Sequence, residues 1–394
     1  MDVEPDPLIS PNVPLPSGAD VINKLPNEIL LKIFGYLKTK FILKNISKVS
    51  QRFKMLSNEP TLLRKLEFNN NKDCLNGSMI EALLRCKSLR KLRIGTKSKF
   101  LILDRCDEPY ISNIVNVAIN QCPKITTIKL YFGAIYDTTL LNILKNGKNI
   151  ESLTVDGYDL LCHESIFPEI FGKMKNLRKL NFRIYFGEKN HNILNALANS
   201  CENLEQLSLY ESPEAQKYLF KFLENSKCTL KDLMVYDFDE VNQYQKFHNM
   251  LGKCKNIEYL CISGHFMKWP ENIATFISAI SNMKNLTSFA VDNTYGISVS
   301  PNAIVTLFNC GNFKNLKALE FYCNYSEEVT ENDINVIIEA IEKGCPKLEE
   351  LELYYNYVSF EISRGRRTIY CNECKVYHLK NQRYYLSQRC PYKE

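Results

Sequence analysis

One apolar skeleton constrains this chain more than any other feature. In its fullest form it reads Leu204-x-x-Leu207-x-Leu209, and eleven copies run from Leu63-x-x-Leu66-x-Phe68 to Leu348-x-x-Leu351-x-Leu353. Between them stand copies that begin at Leu89, Ile125, Ile150, Leu177, Leu204, Leu230, Ile257, Leu286 and Leu316. The steps are 26, 36, 25, 27, 27, 26, 27, 29, 30 and 32 residues. Self-similarity at such a period means a solenoid. In the x-Leu-x-Leu-x segment both apolar residues point to one side of a strand, because side chains alternate with period two. One such strand buries little alone. Stacked in parallel on its neighbours it continues a shared core, and the return segment covers one side.

The spacing resembles leucine-rich repeats. Cys86, Cys122, Cys201, Cys254 and Cys345 each stand three residues before a skeleton position, and Cys122 and Cys345 are followed by Pro. That is similar to the cysteine-containing subclass with long helical returns, although its second regular cysteine is missing. The expected fold is an α/β solenoid: a small N-terminal helical module, then a curved horseshoe with the parallel sheet inside and helices outside.

A solenoid grows without splitting into separate cores, so the 394 residues need not mean several domains. No run of 18 apolar residues exists, which argues against a transmembrane helix. The opening MDVEPDPLISPNVPLPSG is acidic and Pro-rich, unlike a secretory signal, and the expected compartment is cytoplasmic or nuclear. In a reducing compartment most of the 15 cysteines are free core thiols. The formal charge of +6 comes from residues 363–394, where eight Lys/Arg face two Glu. A basic tail is weak evidence for nucleic acid, and no nucleic-acid or membrane partner is expected.

The chain divides into a Pro-rich, disordered N-terminus (1–20), a helical module (21–65), about eleven repeats (62–358), and a terminal cap or basic tail (359–394). In the helical module, Pro26 and Glu28 suit a first helical turn. Ile29, Ile33, Phe34 and Leu37 recur at helical spacing, and Leu43, Ile46, Val49, Phe53 and Leu56 make a second stripe. Some 40 residues of short helices cannot bury a sufficient core alone. The module is either a cap for the solenoid's open end or a cap that also offers an apolar face to a partner.

These residues resemble an F-box. LPNEILLKIFGYL followed by ISKVSQRFKMLSNEPTLL carries the Leu-Pro start, the Glu28/Ile29 pair, Ile33-Phe34, Tyr36-Leu37, Val49 and the Pro60-to-Leu62 end. It departs where Ser50 replaces a common Cys, and where Phe53 and Leu63 replace common Trp positions. The resemblance implies binding to a Skp-type adaptor, and through it to a cullin scaffold and RING subunit. The repeats would hold a protein substrate, so that the chain is a non-catalytic substrate receptor of an SCF-type ubiquitin ligase. Carried over residue by residue, Leu25, Pro26, Ile29, Ile33, Phe34, Leu37, Val49 and Phe53 belong to the adaptor-binding module, some of them in its own core. The alternative is an interaction scaffold whose F-box-like module is only a cap. Exposure of Pro26, Ile29, Ile33 and Leu37 separates the two readings.

The strand residues that face away from the helices form the candidate substrate surface. Early repeats offer Lys91, Arg93, Lys129, Lys179 and Arg183; middle repeats Tyr210, Tyr236 and Tyr259; late repeats Asp292, Glu320, Tyr322, Glu350, Glu352 and Tyr354. Aromatics with flanking charge suit binding hot spots. No phosphate-cradling GxxxxGK[ST], HExxH or GxSxG motif occurs, and no cofactor is expected. Cys371-x-x-Cys374, His378 and Cys390 are zinc ligands by type, but their spacing fits no finger pattern. The long step from Leu89 to Ile125 is expected to hold an insertion around Phe100 to Leu103.

Overall fold

The computed structural model describes residues 22–68, 78–95, 108–161, 174–186, 191–210, 216–238, 244–264, 270–293, 300–323, 331–355, 358–363 and 366–371. The Pro-rich start, the Phe100–Leu103 stretch and three of the four zinc-type residues (Cys374, His378, Cys390) lie outside them.

The helical module comes first: α1 (Asn27–Gly35), α2 (Thr39–Lys44), a short 3-10 turn (Ile46–Lys48) and α3 (Gln51–Leu56). A sheet follows, with β1 (Lys65–Phe68), β2 (Lys91–Ile94), β3 (Thr127–Tyr136), β4 (Ser152–Leu161), β5 (Lys179–Phe186) and β6 (Gln206–Tyr210). It continues through β7 (Asp232–Phe238), β8 (Tyr259–Gly264), β9 (Ser288–Asn293), β10 (Ala318–Cys323) and β11 (Glu350–Tyr355). These eleven strands lie in sequence order, each parallel to the next. Helices occupy the returns: α4 (Ser78–Arg85), α5 (Glu108–Gln121), α6 (Asp137–Asn146), α7 (His191–Ser200) and α8 (Gln216–Ser226), then α9 (Tyr244–Leu251), α10 (Pro270–Ile280), α11 (Pro301–Asn309) and α12 (Glu331–Gly344). This is a leucine-rich-repeat solenoid.

The skeleton residues make its core. Every one from Leu63 to Leu353 except Leu348 is at most 4% exposed. With the inner faces of the helices they form one continuous cluster from Leu43 to Leu353. In the later repeats a file of rings runs through it: Phe276, Phe289, Phe313, Phe308 and Phe321, with successive centroids 5.2–6.1 Å apart. The repeat cysteines Cys86, Cys122, Cys201, Cys254 and Cys345 are buried free thiols. Cys122 Sγ lies 3.4 Å from the Cys86 carbonyl of the preceding repeat.

Two hydrogen-bond ladders tie repeat to repeat. The carbonyl just before each strand accepts two N–H groups of the next repeat, as Arg178 O does from Glu205 and Gln206 at 2.7 and 2.9 Å. The second ladder is made of asparagine side chains. Asn149, Asn176, Asn256 and Asn315, each directly before a skeleton residue, donate to the carbonyls of Pro123, Lys148, Cys228 and Lys284 at 2.8–3.1 Å. Each acceptor lies two residues before the skeleton residue of the preceding copy.

At its far end the sheet changes character. β12 (Val358–Ser363) pairs antiparallel with β11, and β13 (Arg366–Cys371) pairs antiparallel with β12. β12 and β13 thus extend the sheet as an antiparallel strand pair.

Candidate functional site

The helical module divides its apolar residues between two jobs. Leu30, Phe34, Ile42, Phe53 and Leu62 form a small core of their own, supported by half-buried Leu25, Leu31, Leu37, Ile46 and Leu56. Phe34 and Phe53 meet edge to face, with centroids 5.2 Å apart. Of the residues assigned to adaptor binding from the sequence, Phe34 and Phe53 therefore pack the module itself. Phe53 is where the pattern prefers Trp, and its ring fills that space.

On the opposite side of α1, Ile29 and Ile33 are 39% and 43% exposed and lie one turn apart. Pro26 is exposed as well. Tyr36 is 91%, Val49 62% and Met55 71% exposed, while Leu37 sits half-buried against the module core. So many large apolar side chains in a module of this size call for a partner.

The module's geometry is set by polar contacts that the sequence did not mark. Ser50 caps α3, its Oγ accepting from Phe53 N at 3.1 Å, which explains a hydroxyl at that position. Arg52 on α3 reaches back to the start of α1. Its guanidinium donates to Asn27 Oδ1 (2.9 and 2.7 Å), Asn23 O (2.6 Å) and Leu25 O (2.6 Å). Thr39 donates to Leu62 O at 2.9 Å, and Leu43 of α2 enters the solenoid core. The module therefore does close the solenoid's first end, and it also leaves α1 free to present Ile29 and Ile33.

The second candidate surface is the sheet face away from the helices. The register sorts its strand positions into three rows that cross the strands. The first holds Lys91, Thr127, Ser152, Lys179, Gln206, Asp232, Tyr259, Ser288, Ala318 and Glu350. The second holds Arg93, Lys129, Thr154, Asn181, Ser208, Met234, Cys261, Ala290, Glu320 and Glu352. In the third, Tyr131, Asp156 and Arg183 are in register, Tyr210 pairs Tyr236, and Ser263, Asp292, Tyr322 and Tyr354 continue the line. All the strand residues singled out from the sequence thus fall on this one face.

A network holds part of the third row. Arg183 Nη2 lies 2.6 Å from Asp156 Oδ2, with both side chains largely screened from solvent, and its guanidinium lies over Tyr236 at 5.9 Å. Arg93 lies over the Tyr131 ring at 5.1 Å. Burial pushes the Tyr131 hydroxyl's pKa up, and the cations Arg93 and Arg183 counter it in part. Burial likewise raises the Tyr259 hydroxyl and the Asp232 carboxyl, the latter opposed by a hydrogen bond from Gln206. Gly95, at φ +83°, ends β2 directly beside Tyr131, where a Cβ would collide with the Tyr131 carbonyl.

Sequence reasoning selected charged and aromatic residues on this face and passed over Tyr131, Asp156, Gln206 and Asp232. It also missed the second row's small side chains. The available signal was the strand alternation itself, read at every outward position.

Among the described residues no cluster of His, Cys, Asp and Glu could hold a metal, and no helix is long and apolar enough to cross a membrane.

Residues 22–69 match the F-box-like family. The chain thus joins a module similar to the F-box-like family to a leucine-rich-repeat solenoid. Two solved structures align with much of the chain. One is a chain of the yeast Rad7–Elc1 complex (16% identity, 84% of each chain covered, TM-score 0.46). The other is the leucine-rich-repeat-containing protein LegL7 of Legionella pneumophila (13% identity, 74% of this chain and 83% of that chain, TM-score 0.38). A search of curated proteins finds no match.

Proposed function

We propose that the chain is the substrate-recognition subunit of an SCF-type ubiquitin ligase, acting in the cytoplasm or nucleus. Its F-box-like module binds a Skp-type adaptor, which links it to a cullin and a RING subunit, and the open face of the sheet holds a protein substrate. The chain itself performs no chemistry. It raises the effective concentration of substrate lysines beside the charged ubiquitin-conjugating enzyme, a proximity effect.

One observation carries this reading: α1 of an F-box-like module holds Ile29 and Ile33 out to solvent while Leu30 and Phe34 fill the core. A module that served only as a cap would have no use for that second apolar stripe. Exposed apolar side chains of this kind are the usual anchors of a helix-mediated interface.

A pull-down with purified Skp-type adaptor tests it. Wild type should bind, and Ile33→Asp should lose binding while its circular dichroism and thermal midpoint stay unchanged. Wild type that ignores the adaptor at micromolar concentrations would hand the chain to the alternative, a repeat scaffold with a capping module.

A further inference from the structure

The open face is not flat. Its second row has Thr154, Ser208, Cys261 and Ala290 at 4–7% exposure, although none of the four belongs to the core cluster beneath the sheet. They are short and lie low between the first and third rows, with half-buried Asn181 and Met234 interspersed among them. On one side are Lys179, Gln206, Asp232 and Tyr259; on the other Asp156, Arg183 and Tyr236. A shallow trough therefore crosses the strands from β4 to β8, narrowed at β7 where Met234 Sδ meets the Tyr236 hydroxyl at 3.8 Å. One wall is braced by the Asp156–Arg183 pair and by Arg183 over Tyr236, so it is ordered before anything binds.

The floor holds unused hydrogen-bonding capacity. Ser208 Oγ and Asn181 Oδ1 are buried and have no hydrogen-bond partner among the described residues. Such atoms are costly unless something supplies the missing bond. Both oxygens are closed off from solvent, so a ligand reaches them only where the neighbouring side chains move aside.

The ends of the same row are charged with opposite sign. Arg93 and Lys129 lie at the F-box end, with Lys91 beside them in the first row. Glu320 and Glu352 lie at the far end, with Glu350 beside them. The walls stand four residues apart along each strand, about 13 Å between backbones before side chains narrow the gap. That is tight for a helix about 10–12 Å across, and suited to one extended chain.

We infer that the trough binds one extended, dipolar peptide segment, with its acidic end over Arg93 and Lys129 and its basic end over Glu320 and Glu352. This rests on the substrate-receptor reading and names its substrate class. Strands about 4.8 Å apart put Lys129 and Glu320, seven strands apart, roughly 34 Å from each other, or about ten residues of extended chain. Small or hydroxyl-bearing residues fit between, over the floor of Thr154, Ser208 and Cys261.

The test uses the full chain, without adaptor, and a display library of random 16-residue peptides. Enriched peptides should segregate acidic from basic residues by about ten positions. Lys91→Glu/Arg93→Glu should weaken an enriched peptide at least tenfold, and a partner peptide with its acidic end changed to Lys should regain the loss. Glu350→Lys/Glu352→Lys should do the same for the basic end. Ser208→Phe, which fills the floor, should abolish binding of every enriched peptide, with circular dichroism unchanged. No enrichment, or enriched peptides without charge segregation, overturns the inference, as does segregation that ignores the charge reversals. Because the adaptor is absent, this result is independent of the pull-down. Adaptor binding without peptide enrichment would keep the receptor reading and sink the trough.

Discussion

The asparagine before the first skeleton residue of a repeat has a job that its sequence position conceals. Asn256 donates to Cys228 O at 2.8 Å, and Asn149, Asn176 and Asn315 repeat the contact. Where Thr229 takes this place, its Oγ1 reaches Leu204 O at 2.8 Å instead, so a shorter donor does related work. Asn256→Ala should cost about 0.5–1 kcal/mol, since the bond is solvent-exposed. Combined with Asn149→Ala the losses should add, because the two sites share no partner. Urea denaturation of the two single variants and the double variant checks this. His248 makes a sharper case. It is 1% exposed on α9, and its Nδ1 lies 2.7 Å from Thr275 Oγ1 while Nε2 has no partner among the described residues. Burial pushes its pKa down from 6.5 to about 4. The unfolded chain therefore binds a proton more readily than the folded one between those values. Stability should be flat above pH 6.5 and fall by up to about 3 kcal/mol as pH drops to 4. His248→Phe should flatten that part of the profile, read as the wild-type-minus-variant difference in urea midpoint at pH 7, 6 and 5. Burial likewise drives the thiols of Cys86, Cys201, Cys254 and Cys345 up to about 12, whereas Cys228 is exposed. Native-state alkylation followed by peptide mapping should label Cys228 and spare those four until the protein is denatured.

At the scale of the element, α1 shows what a sequence can and cannot tell. Its helical character was legible from Pro26, Glu28 and the apolar spacing. Its two faces were not, because Ile29/Ile33 and Leu30/Phe34 are both apolar pairs at i, i+4. A helix that is apolar on two sides gives no sign of which side goes inward, and that choice is made by where Phe53 and Leu62 arrive from elsewhere in the chain. The repeat strands were legible for the opposite reason. Only one side of each is uniformly apolar, so period two fixes the buried face. The start of α1 also depends on a residue far along the chain. Arg52 supplies four donated hydrogen bonds to residues 23–27, and no pattern announces a contact of that kind. Arg52→Ala should loosen this start by about 2 kcal/mol, given the charge-assisted bonds involved. Amide exchange at Leu30 and Leu31 should quicken, and adaptor affinity should fall with it, while the repeats keep their protection. Arg52→Lys should fail to rescue, since an ammonium cannot present the planar fork.

Across the whole molecule, one core cluster runs from Leu43 in the helical module to Leu353 in the last repeat strand. Each repeat touches mainly its neighbours, so the two end surfaces decide whether the array stays soluble. At the first end, α2 packs near β1 and sends Leu43 into the core. At the other, the ladder of β11 is taken up by the β12–β13 pair, whose outer strand opens with Arg366 and Arg367. Charge on an edge strand discourages pairing with another chain. Neither device could be read from the repeat period, which stops before that pair begins. A chain ended after Tyr355 would expose the β11 edge, with Leu351 and Leu353 behind it. Light scattering should show the truncated chain associating at concentrations where the full chain stays a single species, and Tyr355→Pro in the truncated chain should reverse part of that association, because alternate N–H groups of β11, starting from Glu350, point to β10 and those of Leu351, Leu353 and Tyr355 point to the freed edge. If the truncated chain remained monomeric, the β12–β13 pair would not be guarding the sheet edge, and its arginine-bearing strand would need another explanation.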